Sequence, residues 1–240
     1  MIGIIGFGRF GELTARYLAK DFKVWVHTRS QKEIQIKALG AQPGSLERVC
    51  EQKILILCVP ISTIAANLKR IAPLLKKGTV VIDVCSVKVQ PVEWMTTHLP
   101  DFVSILPTHP MFGPDSAATS LMGRKIVLCK GRITPQVYAK IKGWLESKNL
   151  VIIETTAEDH DRKIAKSLSL THFVGRSLAQ WGAVELDIDT EGYNRLMHIL
   201  GVVEHDTWQL FEDMNRYNPY ARKERIAFME AMQKVHERLE

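Results

Sequence analysis

His109 is the side chain in this sequence best suited to move a proton, because an ordinary imidazole titrates close to neutral pH. It sits in Pro107-Thr-His-Pro110. Prolines fix their own φ and restrict the residue before them, which suits an imidazole held in one place. Ser86 and Lys88 of Val84-Cys-Ser-Val-Lys88 add a hydroxyl and an ammonium. A different chemistry is written at the start of the chain, where Gly6, Gly8 and Gly11 form a G-x-G-x-x-G. The first glycine permits a tight turn, the second lets backbone approach a pyrophosphate, and the third lets a helix pack on a strand. The apolar run Ile2 to Ile5 before them and the helix-compatible run Glu12 to Lys20 after them supply the strand–turn–helix setting that the motif needs. Phosphates would rest on the free N–H groups and positive dipole end of that helix. Arg9 and Phe10, inside the turn, are expected to join the glycines in holding a dinucleotide.

The end of the second strand selects the dinucleotide. An NAD site places an acid about 20 residues after the glycines begin, to bond the ribose 2′-hydroxyl. Here the segment is His27-Thr-Arg-Ser30, with no acid. Arg29 offers a planar donor fork to a 2′-phosphate, and Thr28 and Ser30 offer hydroxyls. NADP is the expected cofactor.

The elements that must position these residues follow from apolar patterning. Phe22 to His27 alternates as a strand, and Lys53 to Val59 is apolar throughout, as in a strand buried on both faces. Gly78 to Asp83, Phe102 to Leu106, Lys125 to Cys129 and Val151 to Ile153 read as further strands, with helices over Ser62 to Leu75 and Pro135 to Lys148. Strands alternating with helices predict a doubly wound α/β sheet of Rossmann type. Its ligands bind beyond the carboxyl ends of strands. Cys58, Val59 and Pro60 are thereby assigned to the cofactor, and Ser86, Lys88 and His109, each just past a strand end, are expected in one cleft.

After Glu154 the pattern turns helical: Ala157 to Trp181, Glu191 to Met214 with a break near Gly201, and Ala221 to Leu239. The expected organisation is a nucleotide-binding domain over 1–154 and a small all-α dimerisation domain over 155–240. A region of that size is marginal alone. Leu196, Ile199, Val202, Trp208, Phe211, Met229, Met232 and Val235 exceed what one small bundle needs, so a homodimer through these helices is expected. Ser169, His172 and Arg176 share one helix face. A histidine beside an arginine repels it unless an anion lies before them.

Charge and composition set outer bounds. The net charge is +6, with 46% hydrophobic residues. The cations are scattered, with no basic arm or nucleic-acid motif, so small anions are the expected partners and nucleic acid is not. No run approaches the ~20 apolar residues of a membrane span. With no leader read before the first strand and no C-x-x-C among Cys50, Cys58, Cys85 and Cys129, the expectation is a cytoplasmic protein with reduced thiols and no metal site.

The stretches GFGRFG, DVCSVK, THPMFGPDS, AEDHD, SLTHFVGR and GYNRLMHILG, with NRYNP after them, resemble the prephenate/arogenate dehydrogenase family of tyrosine biosynthesis, in the expected order over nearly the whole chain. The short form is most similar to the plant-type enzymes, which use NADP. The resemblance implies oxidative decarboxylation of prephenate or arogenate. His109 would take the C4 hydroxyl proton while hydride leaves for the nicotinamide, and Ser86 would bond that hydroxyl or His109. Lys88 would support the loop or the cofactor. Asp115 would stand near the substrate's side chain, and His172 and Arg176 would bind a carboxylate. Where the longer bacterial enzymes carry a carboxylate-gripping arginine, this chain has Gly192-Tyr-Asn-Arg-Leu-Met-His198, leaving Arg195 and His198 as alternatives. Two rival readings stay open. One is an NADP-dependent β-hydroxyacid or imine reductase using Lys163 or Lys166. The other is a non-catalytic NADP sensor, against which the joint presence of Ser86, His109 and His172 argues.

Overall fold

The apolar runs become the buried centre of one sheet. In the computed structural model, which describes residues 1–240, the first unit comprises β1 (Ile2–Ile5), α1 (Arg9–Leu18), β2 (Val24–His27), α2 (Glu33–Ala38), β3 (Gln42–Pro43), α3 (Leu46–Cys50), β4 (Ile54–Leu57), α4 (Ile64–Ile71), β5 (Val80–Asp83), α5 (Val89–His98), β6 (Ser104–Pro110), β7 (Lys125–Cys129), α6 (Pro135–Ser147) and β8 (Val151–Thr155). The strand order is β3-β2-β1-β4-β5-β6-β7-β8. All pairs are parallel except β6 with β7. Ile4, Leu55, Leu57 and Val81 are shut off from solvent entirely, which is why the central strands are apolar at successive positions.

Register decides where the loops emerge. His27, Ile5, Leu57, Asp83 and Pro107 lie side by side across β2, β1, β4, β5 and β6. The segments starting at Thr28, Gly6, Cys58 and Val84 therefore leave the sheet at one edge, past which β6 alone runs on.

β6 corrects one expectation. His109 was expected beyond a strand that ended at Leu106, yet it lies within β6, opposite Val127 of β7. β7 runs back antiparallel along this extension, and its ladder carries β6 on to Pro110. Alternation then sorts the side chains. Leu106, Thr108 and Pro110 line an apolar cavity of about 280 Å³ between the sheet and helices α1 and α6. His109 is turned to the opposite face. The roof of the cavity is tied down by the Phe22–Trp144 ring pair at 5.4 Å and by Tyr17, whose hydroxyl donates to the Ala117 carbonyl at 2.8 Å.

The second compact unit is Glu158–Glu240, and the first is Met1–Ala157. The division falls after Ala157 rather than Glu154 because β8 runs to Thr155, held by its pairing with Cys129. Five helices, not three, follow: α7 (Ala157–Lys166), α8 (Leu168–Trp181), α9 (Glu191–Glu204), α10 (Trp208–Arg216) and α11 (Ala221–His236). The first expected helix is broken at Ser167, whose φ of −102° and ψ of −86° leave the helical region and whose hydroxyl donates to the Lys163 carbonyl at 2.8 Å. Helix α9 passes straight through Gly201. The break comes instead at Thr207, whose Oγ1 caps α10 by accepting from the Leu210 N–H at 3.2 Å. Gly175 lets α8 and α9 cross closely, since a Cβ there would lie 2.8 Å from Val203 Cγ2. No helix is long and apolar enough to cross a membrane.

Candidate active site

The three glycines separate by geometry. Gly6 has a φ of +99°, and a Cβ there would lie 2.1 Å from the Cys58 carbonyl oxygen. A Cβ on Gly11 would lie 2.3 Å from the Gly6 carbonyl oxygen. The fold itself demands both. Nothing lies within 4 Å of a Cβ on exposed Gly8, so its smallness leaves open approach to the backbone. Gly8 begins α1 with no side-chain cap. The first N–H groups of α1 have no partner within the helix, which makes this end a seat for phosphate. The Gly6 N–H donates to the His27 carbonyl at 2.9 Å, tying the turn to the end of β2.

The segment after β2 continues this site. Arg29 is exposed and in no ion pair, while Thr28 Oγ1 accepts from the Ser30 N–H at 3.3 Å. A further cation escaped the sequence reading. Lys32 donates to the Phe7 carbonyl at 3.3 Å and lies over the Phe7 ring, so it stands beside the glycine turn. Only tertiary proximity reveals it, for Lys32 belongs to no motif. Two cations and no carboxylate between Thr28 and Lys32 fit a ribose 2′-phosphate. On the other side, the segment Cys58–Pro60 follows β4. The Cys58 thiol faces Thr14 Oγ1 at 3.8 Å, and burial pushes its pKa up to about 12, so it stays a thiol.

The glycine turn also meets the segment after β6. Phe10 packs against Phe112 at 6.4 Å between ring centres, and Arg9 Nη2 reaches Asp115 Oδ1 at 2.6 Å. Arg9 was expected on the cofactor and Asp115 on the substrate, and here they hold each other. With 47% and 66% of their side chains exposed, the pair contributes little stability.

Ser86 and His109 stand at the same edge, but Lys88 requires a correction. It is wholly buried. Its ammonium is bonded to the Asp83 carboxylate and the Thr108 carbonyl, so it holds the His109 strand and presents nothing to a cofactor. Asp83 was not singled out in the sequence; an acid closing an otherwise apolar strand was the available signal. Ser86 Oγ is buried and has no hydrogen-bond partner. His109 is buried to 5% exposure, its ring on the face away from the apolar cavity.

In the helical unit Ser169, His172 and Arg176 do share a face, with Ser169 and His172 buried and Arg176 half-buried. The anion expected before them is Asp206, between α9 and α10. Its Oδ2 lies 3.7 Å from His172 Nε2, and its carbonyl accepts from Arg176 Nη2. Ser169 Oγ, His172 Nδ1 and Arg176 Nε remain buried without partners. Burial lowers the His172 pKa, Asp206 opposes that shift, and Arg176 adds to it. Arg195 is exposed and paired with Glu191 at 3.2 Å, and His198 is exposed. His160 and Asp161, both buried, pair at 2.7 Å.

Comparison with known proteins gives these features relatives. Residues 22–154 match the family described as prephenate dehydrogenase, nucleotide-binding domain, and residues 177–240 match one described as TYRAAT1-like, C-terminal domain. Arogenate dehydrogenase 2, chloroplastic, of Arabidopsis thaliana is 31% identical over 92% of this chain. A probable arogenate/prephenate dehydrogenase of Methanocaldococcus jannaschii is 29% identical over 95% of it. The chain spans 64% and 54% of these two relatives' own lengths. Among solved structures, prephenate dehydrogenase from A. aeolicus in complex with hydroxyphenyl propionate and NAD+ superposes with a TM-score of 0.80 at 19% identity, covering 98% of this chain and 89% of that one. Synechocystis arogenate dehydrogenase gives 0.74 at 23%, covering 98% and 90%. At these identities the structural likeness is one of fold.

Two predictions follow from this geometry. Gly8→Ala should leave thermal unfolding unchanged while weakening dinucleotide binding in calorimetric titration by at least about tenfold, whereas Gly11→Ala should lower stability itself by about 1–3 kcal/mol through overpacking. Equal loss of stability in both would make Gly8 a fold residue only. For His172, the native imidazole holds its proton less tightly than the unfolded chain's, whose pKa is about 6.5. Its contribution is therefore complete above about pH 6.5 and lost as pH falls through the lowered native value. Melts at pH 7.5 and 5.0 should show less of this loss in His172→Gln, and an identical pH dependence would refute the assignment.

Proposed function

This chain belongs to the prephenate/arogenate dehydrogenase family, and we propose that it oxidises and decarboxylates prephenate or arogenate with NADP as hydride acceptor. The observation that carries the reading is one sheet edge holding an open glycine turn, His109 and an unpartnered Ser86 hydroxyl.

Bound NADP supplies the acceptor for the hydride leaving C4 of the substrate ring. The chain does the remainder. His109 takes the proton of the C4 hydroxyl, and Ser86 Oγ hydrogen-bonds that hydroxyl. The ring then sheds its C1 carboxylate as carbon dioxide and becomes aromatic, which drives the step, so orientation and charge are the protein's main contributions. The glycine turn with Arg9 and Phe10 and the segment Cys58–Pro60 seat the nucleotide, while Thr28, Arg29, Ser30 and Lys32 take its 2′-phosphate. Asp115 stands near the substrate side chain. His172 and Arg176, whose Nδ1 and Nε atoms on α8 have no partner, are offered to a substrate carboxylate.

We also propose a homodimer through the helical unit. Val202, Trp208, Met229, Met232 and Val235 are exposed there, more apolar surface than a solitary helical unit should leave wet. Four free cysteines suit the cytoplasm as its compartment.

Initial-rate kinetics with both substrates and both cofactors test the reaction. His109→Asn should keep NADP affinity and lower kcat by about 10²–10⁴; unchanged turnover would sink the mechanism. Arg29→Asp should raise KM for NADP far more than for NAD, and an equal response would remove the 2′-phosphate assignment. Light scattering should give twice the chain mass for the wild type and the single mass for Met232→Glu. A monomeric wild type would end the dimer proposal.

A further inference from the structure

We infer that Asp83 and Lys88 are positioning residues: a buried charge pair that sets the backbone presenting Ser86 and His109. The inference rests on the reading of His109 as the proton acceptor.

The pair has no access to solvent at either side chain. With no exposed surface it has nothing to offer a substrate or cofactor and must act through the groups it holds. Asp83 Oδ2 accepts from the Cys85 N–H at 3.0 Å, immediately before Ser86. Asp83 Oδ1 accepts from the Thr108 N–H at 3.3 Å, immediately before His109. Thr108 Oγ1 donates back to the Asp83 carbonyl at 2.6 Å, and Lys88 donates to the Thr108 carbonyl. Thr108 is thus gripped at N–H, C=O and hydroxyl.

The reason lies in the sheet. β5 ends at Asp83, opposite Pro107, while β6 runs on beside β7. On the β5 side the ladder has no further backbone to offer Thr108. The carboxylate and ammonium replace the missing strand, and in doing so join the Ser86 segment to the His109 strand. Stability alone does not explain the choice. Burying two ions carries a heavy desolvation penalty, and a well-packed apolar pair is often as stable or more so. What apolar residues cannot do is hold the N–H and the C=O on either side of one residue, Thr108, in a fixed orientation.

The test uses the full chain carrying Asp83→Asn with Lys88→Gln, which keeps hydrogen bonding without leaving a lone buried charge. NADP affinity and both KM values should stay within about threefold while kcat falls about 100-fold, the usual result of misplacing a reacting group by about 1 Å. Placed on His109→Asn, the same pair of changes should lower kcat by less than about tenfold, because only Ser86 is left to be positioned. An equal loss in both backgrounds would mean a purely structural role and overturn the inference. A readout free of turnover is the NMR titration of the His109 ring, whose midpoint should move by about half a pH unit or whose signal should split. If the wild type turns over neither substrate, the functional reading fails by itself and the titration decides the positioning role, an unmoved ring signal refuting it. Where the double variant is unstable, Asp83→Asn with Lys88→Met, which also leaves no lone buried charge, is read by the same titration.

Discussion

Parallel strands that stop in register leave their loops only one place to go. Here the row from His27 to Pro107 crosses five strands and ends four of them, β2, β1, β4 and β5, together, and every segment assigned to cofactor or proton transfer in the first unit begins within a few residues of it. The sheet achieves this with strands only four residues long in β1, β4 and β5. They hold because both faces are covered, so nearly every side chain stabilises by burial. Gly6 and Gly11 belong to this constraint. Each accepts a backbone contact that any side chain would block, and so keeps the turn against β4.

The one strand that breaks the row is the one that carries His109. By overrunning β5, β6 gains an antiparallel partner and moves its histidine to the face away from the apolar cavity. The overrun leaves peptide groups with no ladder on the β5 side, and burial makes unpaired peptide groups costly. Asp83 and Lys88 meet that need. Their cost of desolvation is accepted at the point where two functional segments must be held together, and the short surface pair Arg9–Asp115 joins the next layer outward.

The helical unit shows a different balance. Its polar groups are drawn inward, with His160 on Asp161 and His172 before Asp206, while large apolar side chains such as Trp208 and Met232 face outward. Buried polar groups are usually partnered. The three unpartnered atoms along α8, on Ser169, His172 and Arg176, are the exception, and they fall together on one face.

The amino-acid order by itself determined what depends on neighbours in sequence. The apolar runs specified the central strands, the glycine spacing specified the strand–turn–helix, and the missing acid after His27 marked the cationic segment at Arg29. These are short-range effects of burial period, backbone freedom and local charge. The same short range explains the failures. Ser167 and Thr207 break helices through their own side-chain hydrogen bonds, which a period of apolar residues does not register. The extension of β6 depends on β7, Lys88 on the Thr108 carbonyl twenty positions away, and His172 on Asp206 from the segment between α9 and α10. Lys88 read from sequence supports the loop or the cofactor. Only the fold, by ending β5 three residues before β6, buried it and set its charge to holding the His109 strand.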